Sequence, residues 1–423
     1  MTNTAPPSQR SGARAEAKAF WHSIKGYPVR VFLICLLGLT IMNLDHSLFA
    51  FVLTEIMEEF NWSIIERGWY IAITFVIAGV IVSQLGVLAD HLGRKAIIFW
   101  SALVAPLFVV ALVWAPNTLI LLFFRTLGFG TAAVQSPVNS TVVIEETPPL
   151  YRGLTSGILQ IGYPLGFFIA SLIVPFIYVS FGWRYIFLLP LVGLPYAWLV
   201  WKFLREPPAW QSAKAKRDKD GTTINTLALF QKKYRYKTIV LFGGVFLQVF
   251  AYGATLMLTA YFREARGWEA REAIQIVGLS YGIGALGYIL AAIVGEFVIR
   301  RRDTIVLWCW AGALAFYVML WWVDEYWATA VIFSIMTFFF YGSTAVIFTF
   351  LAENFPAEIR ATAVSFSGSF AVNLGIALGP LALSYMINYS GWIWAFTVCG
   401  VLPLFLAGIV FLWVKPVPRE TLQ

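Results

Sequence analysis

Two ionisable residues, Asp45 and Arg125, lie deep inside long apolar stretches. Asp45 lies in IMNLDHSLFA, residues 41–50, and Arg125 lies in LILLFFRTLGFG, residues 119–130. A charge in hydrocarbon costs several kcal/mol, so an ionisable residue at that depth is a candidate functional residue. A nearby guanidinium favours the ionised form of a carboxylate, whereas burial favours its protonated form, so such a pair is poised between two protonation states. The two residues are therefore candidates for proton coupling, and a static ion pair between two helices is the alternative.

Three more polar residues surround Asp45. Asn43, His46 and Ser47 follow the i, i+3, i+4 spacing of one helix face, whereas Asp45 lies about 100° from His46 and about 160° from Asn43. We expect the first three to face a central cavity and Asp45 to turn toward Arg125. An ordinary histidine at a helix contact is the alternative for His46.

The composition indicates which elements carry these residues. The chain has 423 residues, of which 60% are hydrophobic and 12% charged, and its mean hydropathy is +0.76. Such a chain is typical of a protein whose solvent is the bilayer. Most apolar runs have about 18–28 residues, which suits helices across a core of about 30 Å and not barrel strands. The runs predict an all-α integral membrane protein with twelve spans, at about 30–53, 68–89, 96–116, 118–145, 153–180, 184–203, 238–262, 273–299, 304–323, 327–352, 361–389 and 392–414.

The positions of the basic residues predict the orientation. The tails and the even-numbered connections hold 24 Lys and Arg, whereas the opposite connections hold only Arg67, Arg184, Arg263, Arg266 and Arg271. This asymmetry predicts a multi-pass protein of a bacterial-type cytoplasmic (inner) membrane with both termini in the cytoplasm. It also explains the net charge of +8 without a nucleic-acid partner. The cysteines, Cys35, Cys309 and Cys399, all lie in apolar spans, so we expect packing roles and no metal site.

One long basic connection and a repeated pattern divide the chain. We expect a cytoplasmic tail at 1–28, a six-helix bundle at 29–203, a cytoplasmic linker at 204–237, a second six-helix bundle at 238–414 and a tail at 415–423. The pattern Glu-x2-Pro-x3-Arg begins at Glu145 and again at Glu353, 208 residues later, and ends at Arg152 and Arg360. Internal repeats of this kind are typical of transporters whose halves rock against each other.

The connection between spans 2 and 3 identifies a resemblance. GVLADHLGRK, residues 86–95, closely resembles the G-x-L-x-D-R-x-G-R-K loop of the major facilitator superfamily. The resemblance covers essentially the whole chain. It implies two pseudo-symmetric six-helix bundles, in which spans 1 and 4 are neighbours, and transport by alternating access. It also implies a cytoplasmic gate formed by Gly86, Asp90, Gly93, Arg94, Lys95, Glu145, Arg152, Glu353 and Arg360.

The corresponding loop of the second half, GEFVIRRRD, differs at one important position. Val298 replaces the carboxylate that Asp90 supplies in the first half, so we expect a charged latch in the first half alone. Glu296 lies four residues before Arg300 near the inner end of span 8, and we expect these two to form an i, i+4 pair at the membrane interface.

A finer resemblance concerns span 1. IMNLDHSLFAFVLTEIMEEF resembles the first span of the proton-coupled organic-anion symporters, in their anion:cation, sialate and aromatic-acid branches. It implies that Asp45 is the coupling aspartate, that Arg125 is the span-4 arginine, and that protons are the coupling ion without any other cofactor. The chain departs from the anion carriers at His46, where they have a substrate-binding arginine, and at Ala132, where they have a second carboxylate.

Further polar residues near mid-membrane could line a substrate path, although such residues also join helices to each other. The candidates for substrate binding are Asn43, His46, Ser47, Arg125, Gln135, Asn139, Tyr163, Gln248, Tyr252, Tyr341, Thr344 and Asn373, with Gln160 and Tyr281 as additional polar positions.

These features favour a secondary transporter that takes up a small organic anion, a carboxylate, together with protons, and that works as a monomer in the lipid bilayer. No P-loop, H-E-x-x-H or nucleophile elbow occurs in the sequence, so an enzyme is not expected. Proton-driven efflux of amphipathic compounds and a transporter-like sensor are the alternatives.

Overall fold

The computed structural model describes residues 26–148, 152–208, 210–211, 229–355, 359 and 363–415, apart from the side chains of Asp90 and Ser365. Every regular element within these ranges is helical. Eleven helices are long and apolar enough to cross a membrane. The first ten are α1 Tyr27–Phe51, α2 Ile64–Ala89, α3 Arg94–Trp114, α4 Thr118–Glu146, α5 Leu154–Phe181, α6 Trp183–Phe203, α7 Arg235–Glu264, α8 Ala270–Val298, α9 Arg301–Trp321 and α10 Tyr326–Glu353.

The eleventh candidate span contains two membrane crossings. Phe366–Leu412 has 47 residues, about 70 Å of helix, which is more than twice the thickness of the hydrocarbon core. Gly391 interrupts it with a φ of 78° and a ψ of 174°, a conformation that residues with a Cβ rarely adopt. We call the two parts α11, residues 366–390, and α12, residues 392–412. The twelve predicted spans are therefore confirmed, with ends that differ by a few residues.

The start of α2 shows how such a difference arises. The apolar run predicted a start at residue 68, but the helix begins at Ile64 because Ser63 and Glu66 form a capping box. The Ser63 amide donates to the Glu66 carboxylate over 2.8 Å, and the Glu66 amide donates to the Ser63 hydroxyl over 3.2 Å. Polar residues thus extend the helix beyond its apolar part.

The two halves, α1–α6 and α7–α12, pack against each other along two pairs of helices. Helix α2 lies against α11, and α5 lies against α8. Small residues allow the close approach: a Cβ at Gly68 would lie 2.7 Å from the hydroxyl oxygen of Ser384, and a Cβ at Gly282 would lie 2.7 Å from the ring of Phe168. Within the first half α1 packs on α5, and within the second half α7 packs on α11.

Several spans are broken near their middle, and the breaks repeat between the halves. Helix α4 consists of Thr118–Ala133 and Gln135–Glu146, and α10 consists of Tyr326–Gly342 and Thr344–Glu353. The break residues, Val134 and Ser343, are 209 residues apart, close to the 208-residue offset of the repeated sequence pattern. Both residues keep right-handed helical dihedral angles, with φ −60° and ψ −23° at Val134 and φ −56° and ψ −34° at Ser343, so each break interrupts the helical hydrogen bonds without unwinding the helix. The two breaks lie at equivalent positions of the two halves.

Candidate functional site

The expected contact between Asp45 and Arg125 is present at the centre of the first half. Nη1 of Arg125 lies 3.5 Å from Oδ2 of Asp45, and the two side chains are 3% and 4% exposed. The guanidinium carbon also lies 5.0 Å from the ring centroids of Phe49 and Phe129, within the range of cation–π attraction. Oδ1 of Asp45 has no hydrogen-bond partner among the described residues. Of the two carboxylate oxygens, Oδ2 thus contacts the cation, and Oδ1 is buried away from it.

Asp45 and Arg125 each line a different small cavity. One is lined by Asp45 with Ser101 and Gln135, and it lies wholly within the first half, among α1, α3, α4 and α6. The other is lined by Arg125 and His46 and reaches Leu256 of α7, so it lies between the two halves. Each has a volume of about 20 Å³, which is room for about one water molecule. The carboxylate and the cation therefore face different spaces.

His46 lies in an aromatic wall at the interface between the halves. Its ring centroid is 5.4 Å from Phe75, 5.0 Å from Phe129 and 5.7 Å from Phe167. Phe167 in turn stacks on Tyr281 of α8, with centroids 4.4 Å apart and rings inclined by 18°. The wall thus continues from the first half into the second, and the sequence patterns did not single out its phenylalanines.

The structure separates Asn43 and Ser47 from His46, contrary to the expected shared cavity face. The Asn43 amide donates to the carbonyl oxygen of Leu39 over 2.9 Å, and the Ser47 hydroxyl donates to that of Leu44 over 2.7 Å. Both side chains are buried, and neither lines either of the two cavities. The reason is that α5 packs closely on α1 at this point: a Cβ at Gly166 would lie 2.7 Å from the Asn43 carbonyl carbon. Oδ1 of Asn43 lacks a hydrogen-bond partner among the described residues.

The other polar residues of the first half lie near the break in α4. Nδ2 of Asn139 is 3.5 Å from Oε1 of Gln135, and the Tyr163 hydroxyl is 2.7 Å from that of Ser136. Gln135 also lines the cavity beside Asp45. Gln135 is therefore the predicted polar residue that connects the α4 break to the ion pair.

The polar residues of the second half form a hydroxyl network. Nε2 of Gln248 lies 3.2 Å from both hydroxyls at the α10 break, those of Ser343 and Thr344. The Tyr341 hydroxyl donates to that of Tyr281 over 2.9 Å and lies 3.0 Å from that of Thr255.

Tyr252 and Asn373 complete the predicted set. The Tyr252 ring stands edge-on to Tyr341, with centroids 5.3 Å apart. Asn373 lies apart from this network. Its amide donates to the Ser369 carbonyl over 3.0 Å, and it contacts Gly79 across the α2–α11 interface.

At the end opposite the start of α1, here called the outer end, two ion pairs join the halves. Nη1 of Arg67 in α2 lies 2.9 Å from Oε1 of Glu264 in α7. Arg263 pairs with Glu55, which also accepts a hydrogen bond of 2.7 Å from the Tyr178 hydroxyl. From the sequence, Arg67 and Arg263 were predicted only to be charges of the outer connections. Glu55 and Glu264 at helix ends were a signal that these cations have carboxylate partners, but not of which cation pairs with which carboxylate.

At the inner end, the first half carries the predicted network in part. Nη2 of Arg94 lies 3.1 Å from Oε1 of Glu145. The amides of Arg94 and Lys95 each donate over 2.9 Å to the carboxylate of Glu206, which thereby caps the start of α3. Gly93 adopts a φ of 119° beside that carboxylate.

The remaining members of the predicted gate differ in their surroundings. Nε of Arg152 donates to the Thr147 carbonyl over 3.1 Å, and a Cβ at Gly86 would meet nothing within 4 Å. The Asp90 side chain and Arg360 lie outside the described residues.

At the inner end of the second half, the structure differs from two expectations based on the sequence. Glu296 pairs with Arg301 and not with Arg300, and Arg301 also pairs with Glu353. The i, i+4 geometry fails because α8 ends at Val298, so that Arg300 precedes the next helix instead of lying one turn along the same one. A charged cluster therefore exists in the second half as well, with Glu296 supplying a carboxylate despite Val298.

Comparisons with known proteins agree with this architecture. The family description "Major Facilitator Superfamily" matches residues 35–371 and 285–423. The cis,cis-muconate transport protein of Acinetobacter baylyi is 28% identical, over 88% of this chain and 92% of its own length. The niacin transporter NiaP of the same organism is 25% identical, over 92% and 94%. The gallate transporter of Pseudomonas putida is 24% identical, over 92% of each chain.

Solved structures show the same fold. The crystal structure of a D-xylose–proton symporter gives a TM-score of 0.71 at 16% identity, covering 94% of this chain and all of its own. A bacterial homologue of the human lysosomal transporter Spinster, in an inward-facing unoccupied conformation, gives 0.70 at 18% identity, covering 93% of this chain and all of its own. With its family match, its helical architecture and its transporter relatives, the chain belongs to the major facilitator superfamily and is a membrane transporter, not an enzyme.

Proposed function

We propose that the protein takes up a small organic anion, a carboxylate, together with a proton. The observation that carries this proposal is the buried pair of Asp45 and Arg125. While Asp45 is ionised, the two charges balance and both can stay buried. Protonation of Asp45 leaves Arg125 uncompensated, which is costly at that depth, and a substrate carboxylate can then restore the balance. Proton and anion therefore stabilise each other's binding, which is the requirement for symport.

The aromatic wall supports a planar, conjugated carboxylate as the substrate. His46, Phe75 and Phe129 present rings close to Arg125, and Phe167 and Tyr281 stack across the two halves. Flat substrates stack favourably on such rings. The relatives named above for muconate, niacin and gallate transport agree with this chemistry.

The test is uptake of radiolabelled nicotinate, gallate and cis,cis-muconate into proteoliposomes. With the outside more acidic than the inside, we expect at least one of them to accumulate above its external concentration. Reversal of the gradient should abolish this accumulation. Extrusion of amphipathic compounds without any carboxylate uptake would favour the efflux alternative, and binding without flux would favour a sensor.

A pair of variants at Tyr281 tests the substrate class. Tyr281→Phe keeps the ring that stacks on Phe167, whereas Tyr281→Leu removes it. An aromatic stack contributes about 0.5–1.5 kcal/mol, so the Leu variant should lower nicotinate uptake relative to an aliphatic carboxylate by about 2- to 10-fold. The Phe variant should keep the wild-type ratio. Equal ratios in all three proteins would refute a stacking role for this residue.

We further propose the arrangement in which this activity operates. The bundles comprise 29–203 and 238–414, joined by the linker 204–237, in a monomer of a cytoplasmic membrane with both termini inside. The positions of Lys and Arg support this orientation. The inner-end pairs of Arg94 with Glu145 and of Arg301 with Glu353 then belong to a cytoplasmic gate. Cysteine labelling from each side of the membrane, at positions in the linker and at the outer end, tests the orientation.

A further inference from the structure

Arg67 is the most completely buried cation at the outer end. Its side chain has no exposed surface, and its Nη1 donates to Glu264 over 2.9 Å. The guanidinium carbon lies 5.2 Å from the ring centroid of Trp392 in α12. Nε and Nη2 have no hydrogen-bond acceptor among the described residues. A buried guanidinium that leaves strong donors unused carries an energetic penalty, which a second anionic ligand would relieve.

Helix α2 connects Arg67 to the cavity beside Arg125. Ile71, Thr74 and Phe75 line that cavity, and they follow Arg67 at i+4, i+7 and i+8 on one helix face. Arg67 therefore lies about 6 Å, one helical turn, outward of the cavity wall. Arg67 and Arg125 therefore lie at different depths along the interface between the halves, with Arg67 nearer the outer end.

The counter-ion of Arg67 is suited to exchange. Glu264 lies in the second half, and its side chain is 25% exposed, whereas that of Arg67 is fully buried. Besides Arg67, Glu264 accepts only a weak hydrogen bond of 3.3 Å, from the Thr54 hydroxyl, among the contacts described. When the halves part at this end, water can hydrate the released carboxylate more easily than it can replace the protein around Arg67. An incoming carboxylate then finds a cation without a partner.

We propose that Arg67 is a second anion-binding residue, which binds the substrate carboxylate at the outer end after Arg67 parts from Glu264 and before the anion reaches Arg125. This inference rests on the proposed carboxylate uptake. It differs from a simple latch in one respect. In a latch, both partners have the same role, which is to hold the halves together, whereas in an anion site Arg67 binds the substrate and Glu264 competes with it.

The test compares Arg67→Gln with Glu264→Gln in proteoliposomes that contain the full chain. Initial uptake is measured against the concentration of nicotinate, gallate or cis,cis-muconate added outside. Loss of a hydrogen bond to a charged group predicts that Arg67→Gln raises KM about 10- to 100-fold. Glu264→Gln should lower KM, because it removes the competitor. Arg263→Gln breaks the neighbouring pair with Glu55 and shows the effect of loosening the outer end alone.

The outcomes separate the inference from the function on which it rests. A KM that is unchanged in Arg67→Gln, or that moves in the same direction in both variants, overturns the anion site and leaves carboxylate uptake intact. If the wild-type protein takes up none of the three carboxylates, the proposed function fails and the anion site fails with it. Exchange at saturating substrate and a wild-type elution profile verify that each variant is folded.

Discussion

Replacement of Asp45 by asparagine should uncouple transport from the proton gradient. Asparagine has nearly the size of aspartate and keeps an oxygen toward Arg125, but it cannot bind or release a proton. The variant should therefore still exchange internal for external substrate, yet it should no longer accumulate substrate against a gradient. The static-pair alternative predicts that accumulation persists in whatever protein remains folded.

The size of the effect follows from the number of titrating groups. Among the described residues of the spans, Asp45 is the carboxylate that lies away from a span end. One such group predicts one proton per monovalent carboxylate, an electroneutral cycle that the membrane potential does not drive. A pH difference of one unit then supports about tenfold accumulation, equivalent to about 1.4 kcal/mol. The Asp45→Asn variant should reach a ratio of about one.

The assay uses proteoliposomes at an internal pH one unit above the external pH, with a transported, radiolabelled monovalent carboxylate. Counterflow from preloaded vesicles, without a pH difference, serves as the control for folding and substrate binding. Wild-type accumulation near tenfold, with counterflow but no accumulation in the variant, agrees with the reasoning. Accumulation by Asp45→Asn equal to that of the wild type would refute it.

Two further predictions concern stability. Gly166→Ala would place a Cβ 2.6 Å from the Thr40 carbonyl oxygen, so it should lower the free energy of unfolding by about 1–3 kcal/mol, whereas Gly243→Ala, with nothing within 4 Å, should not lower it. Thermal unfolding of the purified variants measures both, and equal melting temperatures would contradict the packing of α1 on α5. Arg301→Gln leaves two carboxylates without their cation and should cost about 1–3 kcal/mol, while Arg300→Gln at an exposed position should change stability by less than about 0.5 kcal/mol. A larger loss of stability in Arg300→Gln than in Arg301→Gln would instead support the i, i+4 pair of Glu296 with Arg300 that was expected from the sequence.

The sequence was most informative about properties that depend on distance along a helix axis. Hydrophobic length predicted the number and approximate ends of the spans, since a helix across the bilayer must satisfy its own backbone. Depth along the span also predicted the contact of Asp45 with Arg125, at about 12 Å and about 10 Å from the outer ends of their predicted spans. The first argument needs only the rise per residue, and the second also needs the neighbourhood of spans 1 and 4, which the family resemblance implied.

The sequence was least informative about which helix faces meet and where a helix breaks. The pairs of Arg67 with Glu264 and of Arg263 with Glu55 join residues about 200 positions apart, and only the packing of the halves brings them together. The predicted partner of Glu296 was wrong because α8 ends at Val298, before Arg300, and hydrophobicity does not reveal this helix end. Asn43 likewise follows the predicted spacing, but its surroundings depend on the packing of α5 and on no local pattern.

The most direct test of proton–carboxylate symport is proton movement itself. Proteoliposomes loaded with a pH-sensitive dye, at equal pH on both sides, receive a transported carboxylate outside, and liposomes without protein correct for passive entry of the undissociated acid. We predict internal acidification at about one proton per carboxylate, absent in Asp45→Asn. Entry of the carboxylate without acidification, or equal acidification in the variant, would contradict the assignment of Asp45 and Arg125 as the coupling pair.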